Sequence, residues 1–139
     1  MADNKAVVRA MFEEIVNQNR VELIDELFDP EFETTTPQGV MDREGFRQFV
    51  TGWRGAFSDI HCEVSDLIAE GETAAWSVQT TGTNDGEFMG MPTTNRKVDF
   101  GSLNIAHFRD GKVYRHIVMM DLATMMEQLG VAQGAPASA

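Results

Sequence analysis

Basic residues are scarce in this 139-residue chain: 11 lysines and arginines stand against 22 acids, for a net charge of −11 at pH 7. A field of that sign repels phosphate backbones and anionic lipid headgroups over about a Debye length, so neither nucleic acid nor a membrane surface is an expected partner. Cysteine is scarcer still. Cys62 stands alone and cannot close an internal disulfide. The N-terminus also lacks a basic-then-apolar leader, so a reducing cytoplasm is the expected compartment. No apolar run approaches the roughly 20 residues of a membrane span. No glycine-rich loop follows an expected strand, and His61, His107 and His116 lack metal-ligand spacing, so no cofactor, nucleotide or metal is expected. Repeats and linkers are missing too. What remains is 42% apolar and 24% charged, the balance of an ordinary globular domain that needs no staple. That domain spans 1–130. Residues 131–139 are small and proline-containing, with little to bury, and are expected to form a flexible tail.

The first third reads as helical. Val7, Val8, Met11, Phe12, Ile15 and Val16 recur at helical spacing behind Asp3 or Asn4 as cap. A shorter helix with Leu23, Ile24, Leu27 and Phe28 is expected between a capping box at Asn19 and Glu22 and the stop at Asp29-Pro30. A third opens at Asp42 and stacks Phe46, Phe49, Val50, Trp53 and Phe57 on one face, an aromatic stripe that needs a broad apolar partner. From Ile60 the period falls to two. Strands are expected from Ile60, over Ala74 to Thr83, from about Arg96 to His107, and over Lys112 to Met120, with turns at Glu70-Gly71-Glu72 and Asp110-Gly111. Asp121 then caps a last helix that ends at Gly130. Helices over one face of an antiparallel sheet make an α+β domain.

The Asp110-Gly111 hairpin decides which side chains share a face. A two-residue turn would pair Arg109 with Lys112; the preferred reading, a three-residue turn with Gly111 in a left-handed bulge position, pairs Phe108 with Lys112, and hence Asn104 with His116 and Ser102 with Val118. That register gathers Leu103, Ile105, Val113, Ile117 and Met119 on one side, together with His107 and Arg115. The other side carries Ser102, Asn104, Tyr114, His116, Val118 and Met120, the polar and apolar mixture of a ligand pocket.

The run Gly90-Met91-Pro92-Thr93-Thr94-Asn95-Arg96, then Phe108-Arg109-Asp110-Gly111-Lys112-Val113, His116, Asp121 and Gln128-Leu129-Gly130 resembles the SnoaL-like polyketide cyclases. Phe28-Asp29-Pro30-Glu31-Phe32 and Ala56-Phe57-Ser58-Asp59-Ile60 extend the likeness to residues 5–130. The resemblance implies a nuclear transport factor 2-like cone, a bent sheet wrapped around a long helix with a pocket inside. It also implies a homodimer formed through the outer face of the sheet. Cyclases of the family use an acid near the end of the last strand, with a histidine on the neighbouring strand. This chain places Val118 and Asn104 at those two positions. His116 matches a pocket histidine of the family, and Asp121 the aspartate that opens its last helix.

The resemblance leaves two functions open. One is a cofactor-independent acid/base cyclase, isomerase or dehydratase acting on an apolar carbonyl compound. His116 would then transfer the proton, because an ordinary imidazole titrates near neutrality. Asn104 would orient it or hold a carbonyl oxygen, Tyr114 would donate to an enolate, and Asp59 would reach the pocket mouth. Phe12, Phe32, Trp53, Phe57, Val118 and Met120 are the expected apolar lining. The other function is a binding module that holds the same ligand without chemistry. Arg96 and Arg115 could bind a carboxylate but are expected in surface or dimer salt bridges, and Cys62 is expected to be a buried, inert thiol.

Overall fold

The computed structural model describes residues 3–88 and 90–131. Asp3 caps α1 (Asn4–Ala10) by accepting the Lys5 N–H, and the helix runs on as a π-helical turn over Met11–Val16. A 3₁₀ turn (Val21–Leu23) and a single α turn, α2 (Ile24–Leu27), replace the expected second helix. The expected capping box does not form: Asn19 sits at φ 58, and Glu22 pairs with Arg20 instead. Phe28 belongs not to a helical stripe but to β1 (Phe28–Thr36), which turns into β2 (Gly39–Met41). Neither strand was expected. Sequence separation explains why: the local pairing of β1 with β2 covers Thr34, Thr35 and Thr36, while its longer ladder lies parallel to a strand near the far end of the chain.

The remaining elements follow the sequence closely. Asp42 caps α3 (Arg43–Ala56), Asp121 caps α4 (Leu122–Leu129), and Gly130 closes the latter at φ 78. Between them run β3 (His61–Glu70), β4 (Thr73–Thr83), β5 (Lys97–Arg109) and β6 (Lys112–Met120). The six strands form one mixed, curved sheet in the order β2-β1-β6-β5-β4-β3. Its inner face closes on α1 and α3 around a core that includes Phe28, Phe32, Phe57, Met11 and Ile15. The edge at β3 is sealed locally, because the Asn17 amide donates to the Cys62 carbonyl (2.9 Å) and accepts its N–H (2.7 Å).

The β5–β6 hairpin departs from the expected register in an instructive way. Asp110 (φ 54) and Gly111 (φ 79) form a two-residue turn with both central residues left-handed, so Arg109 pairs with Lys112 and Phe108 with Val113. A bulge then leaves Tyr114 unmatched, after which His107 pairs with Arg115, Ala106 with His116 and Asn104 with Val118. Turn and bulge each shift the pairing by one residue. Two odd shifts restore the parity, so the expected inner and outer faces survive beyond the bulge although the partners differ. Between turn and bulge they do not. Val113 is fully buried rather than outward, and Tyr114 leaves the pocket face.

The loop after β4 is pinned to the end of α3 by Asn84, which is buried. Its side chain donates to the Ala56 and Gly86 carbonyls and accepts from the Thr94 N–H and hydroxyl. A β-carbon at Gly86 would run into the Gly55 carbonyl, so glycine is needed for this approach. Phe88 then packs edge-on against Trp53 and Phe57. Val131 also packs against the core and donates its N–H to the Met126 carbonyl. Residues 132–139, the rest of the expected tail, lie outside the described residues. Among the described residues no helix is long and apolar enough to cross a membrane.

Candidate functional site

Three strands converge on one buried imidazole. In the parallel pairing of β1 with β6, Thr34 lies opposite His116, and its hydroxyl is 2.8 Å from Nδ1. On the other side, Asn104 of β5 sits diagonally across, with Oδ1 2.9 Å from Nε2. The carboxamide oxygen only accepts, so Nε2 carries the proton and Nδ1 accepts from Thr34. Asn104 in turn donates from Nδ2 to the Ser102 hydroxyl at 3.2 Å. Trp76 of β4 lies parallel to the imidazole, with ring centroids 5.7 Å apart and an interplanar angle of 7°. Among the described residues, one buried side-chain polar atom has no hydrogen-bond partner: the Trp76 indole Nε1.

Burial pushes the His116 pKa down to about 3, because removing the ring from water penalises the imidazolium and no carboxylate is there to offset the cost. The ring is therefore neutral at pH 7, contrary to the expectation of an imidazole titrating near neutrality. Both nitrogens are engaged, so the tautomer is fixed by its partners.

Thr34, Ser102, Asn104 and His116 line a cavity of about 70 Å³ between the sheet and the helices. Thr36 and Thr80 add two further hydroxyls, and the rest of the wall is mainly apolar, with Phe12 and Val16 from the π-helical turn, and Phe46, Phe49, Val50 and Trp53 from the aromatic stripe of α3. Phe12 and Val16, four residues apart on the π-helical turn, both face the cavity. Val118 and Met120 complete the β6 side. Cys62 joins the wall too. Its thiol is buried against the Thr80 hydroxyl, and burial pushes its pKa up to about 11, so it is protonated and unreactive at neutral pH. No aspartate, glutamate, lysine or arginine lines the cavity, and among the described residues no cluster of three or more His, Cys, Asp or Glu could hold a metal.

The structure thus brings His116, Asn104, Phe12, Trp53, Val118 and Met120 together as the sequence led one to expect. Four other expected site residues lie elsewhere. Tyr114 is carried outward by the bulge and lies beneath the Arg109 guanidinium, 4.5 Å from its ring centroid. Asp59 accepts the Thr83 N–H at 2.7 Å, a loop tie on the surface. Phe32 stacks on Phe28 behind the wall, and Phe57 follows the last residue of α3 into the core against Phe88. Thr34 and Trp76 were missed. Thr34 alternates with Phe32 and Thr36 in a strand pattern, but its relation to His116 spans 82 residues.

The family model of SnoaL-like polyketide cyclases matches residues 6–129. The chain belongs to this family. IdmH of Streptomyces antibioticus, a candidate polyketide cyclase, is 28% identical and superposes with a TM-score of 0.81 over 93% of this chain and 99% of its own. AclR of Streptomyces galilaeus, a candidate hydroxylase, is 25% identical, with a TM-score of 0.81 over 91% of this chain and 95% of its own. A SnoaL-like protein from Jannaschia reaches a TM-score of 0.84 at 21% identity, over 96% of this chain and 93% of its own, which speaks to the fold alone. No curated protein matches the chain at a significant level. Within this SnoaL-like cone, the position expected for the catalytic strand acid is occupied by Val118, whose side chain is part of the apolar wall.

The depressed pKa of His116 fixes a sign for the pH dependence. The unfolded chain binds a proton at this residue below about pH 6.5 while the folded chain does not, so stability falls as pH drops from there towards about 3. The slope for one proton is about 1.4 kcal/mol per pH unit. Urea unfolding of wild type and His116→Gln between pH 7 and pH 4.5 should show that component in wild type and its loss in the variant. Parallel curves for the two proteins would mean that the folded imidazole protonates normally.

Proposed function

We propose that this SnoaL-like chain is a polyketide cyclase-type enzyme that closes or isomerises an uncharged, apolar carbonyl compound held inside the cone. One observation carries the reading: the polar groups lining the cavity are neutral, and Thr34, Asn104 and Ser102 among them are organised around an imidazole fixed in a single tautomer. An apolar wall selects flat hydrophobic molecules, and confining a flexible chain with two reacting carbons close together removes much of the entropic barrier to ring closure. Fixed neutral dipoles then stabilise charge developing on an oxygen without reorganising. His116 acts in this account as a preset hydrogen-bonding centre and not as the proton carrier, since an imidazole titrating at about 3 is a feeble base at neutral pH. The space is tight. A guest of ring size enters by displacing flexible rim side chains, and the unbranched Met41 and Met120 suit that role.

A second reading, that the cone binds without chemistry, draws support from the same depressed pKa and from a wall without carboxylates. Conversion of aromatic β-dicarbonyl esters, followed by chromatography, separates the two. Wild type should consume such a compound. His116→Ala should lose about 5- to 100-fold in kcat/KM, the cost of leaving buried partners unpaired, and His116→Gln should recover part of it. Equal loss of 10²-fold or more in both variants would make His116 a proton-transfer group after all. Binding by wild type without turnover would leave the binding module standing.

The outer face of the sheet supports a further part of the proposal, the homodimer. Leu103 is 69% exposed, Met119 58% and Ile105 41%, adjacent on β5 and β6 with Ile117 half-buried between them. A contiguous apolar patch of this kind is rarely left to water, and a second copy related by a two-fold axis would cover it with the same patch. Sedimentation equilibrium at micromolar concentration should give a dimer for wild type and a monomer for Leu103→Lys. A monomeric wild type would refute the interface.

A further inference from the structure

The chain of hydrogen bonds through His116 has a direction, and it ends on a hydroxyl whose own proton it does not use. Thr34 donates to Nδ1, Nε2–H donates to Asn104 Oδ1, and Asn104 Nδ2 donates to the Ser102 oxygen. Four side chains thus share three bonds. Two protons are used by none of those bonds, the second amide hydrogen of Asn104 and the hydroxyl proton of Ser102. Asn104 is buried, whereas Ser102 is half-buried on the cavity wall, between Val78 of β4 and Met120 of β6, and its hydroxyl can rotate to meet a ligand. Its oxygen already accepts from an amide that is itself polarised by the imidazole, which strengthens the hydroxyl as a donor. The lining is uncharged, and its other hydroxyls are engaged: Thr34 donates to His116, Thr36 donates to the Gly39 carbonyl, and Thr80 is paired with the Cys62 thiol, so a ligand oxygen entering here finds few competing donors.

We infer that Ser102 is the residue that binds the ligand's carbonyl oxygen, with Thr34, His116 and Asn104 acting behind it to fix the direction in which its hydroxyl donates. The inference rests on the reading of the cone as a chamber for apolar carbonyl compounds, and it names the donor within that chamber. Thr34 and Asn104 are positioning residues in this scheme, because they act on the ligand through the ring and through Ser102.

Two probes of equal carbon skeleton test it, acetophenone and ethylbenzene, which differ by a carbonyl in place of a methylene. Each is titrated into the ¹⁵N-labelled full chain and followed by amide chemical shifts, which also report whether a variant is folded. Wild type should bind acetophenone more tightly than ethylbenzene. Ser102→Ala should weaken acetophenone about two- to tenfold, the worth of one neutral hydrogen bond, and leave ethylbenzene unchanged. Ser102→Thr, which keeps the hydroxyl, should keep the preference. A preference for acetophenone that survives in Ser102→Ala, or no preference in wild type, overturns the assignment of Ser102 while binding of both probes upholds the chamber. Binding of neither probe overturns both.

Discussion

Burying an imidazole inside an apolar cone costs free energy unless both nitrogens find partners, and that requirement organises much of this molecule. The partners of His116 come from separate places: Thr34 from the first strand, 82 residues away, and Asn104 from the neighbouring β5. The ring cannot be satisfied until β1 has docked parallel to β6 and the β5–β6 hairpin has settled into its bulged register. An unpaired group at this depth would cost about 1–3 kcal/mol. The same burial holds the ring neutral, so the site's chemistry follows from the condition that allows it to fold.

Neutrality has consequences for what the cone can do. A wall without charged side chains does not recognise phosphates or carboxylates by ion pairing, and the chain's net charge of −11 adds a bias against anions. It can hold an uncharged hydrophobic molecule and present fixed dipoles to its oxygens. Val118 in the wall leaves no buried charge there that would need its own partner. The absence of a carboxylate from the cavity wall and the depression of His116 belong together: with a carboxylate beside it, the ring would be held in its charged form.

Much of the fold was legible because its signals are local. Asp3, Asp42 and Asp121 mark helix starts, Gly130 a helix end, and the alternation from Ile60 onward marks strands. β1 was not legible, since Asp29-Pro30 reads as a stop, its pairing with the three-residue β2 is short, and its longer partner lies near the opposite end of the chain. Of the site, His116 and Asn104 could be placed on one face by parity alone. The partners across the hairpin could not be named, because a two-residue turn followed by a bulge at Tyr114 gives the same parity as the three-residue turn. Tyr114 was misplaced for that reason. Asp59 was misread because a carboxylate that ties a loop N–H has the same sequence appearance as one that faces a pocket. Phe32 and Phe57 share the spacing of lining residues but lie one layer behind them.

The central claim is that His116 is a neutral imidazole locked as the Nε2–H tautomer between Thr34 and Asn104. Nitrogen-15 NMR of histidine-labelled protein between pH 5 and 8 tests it directly, because a protonated and an unprotonated ring nitrogen resonate far apart. The account requires one His116 signal pair, Nε2 protonated and Nδ1 bare, unchanged across that range. A pair that moves together towards the imidazolium position as pH falls to 5, or a proton found on Nδ1, would contradict it.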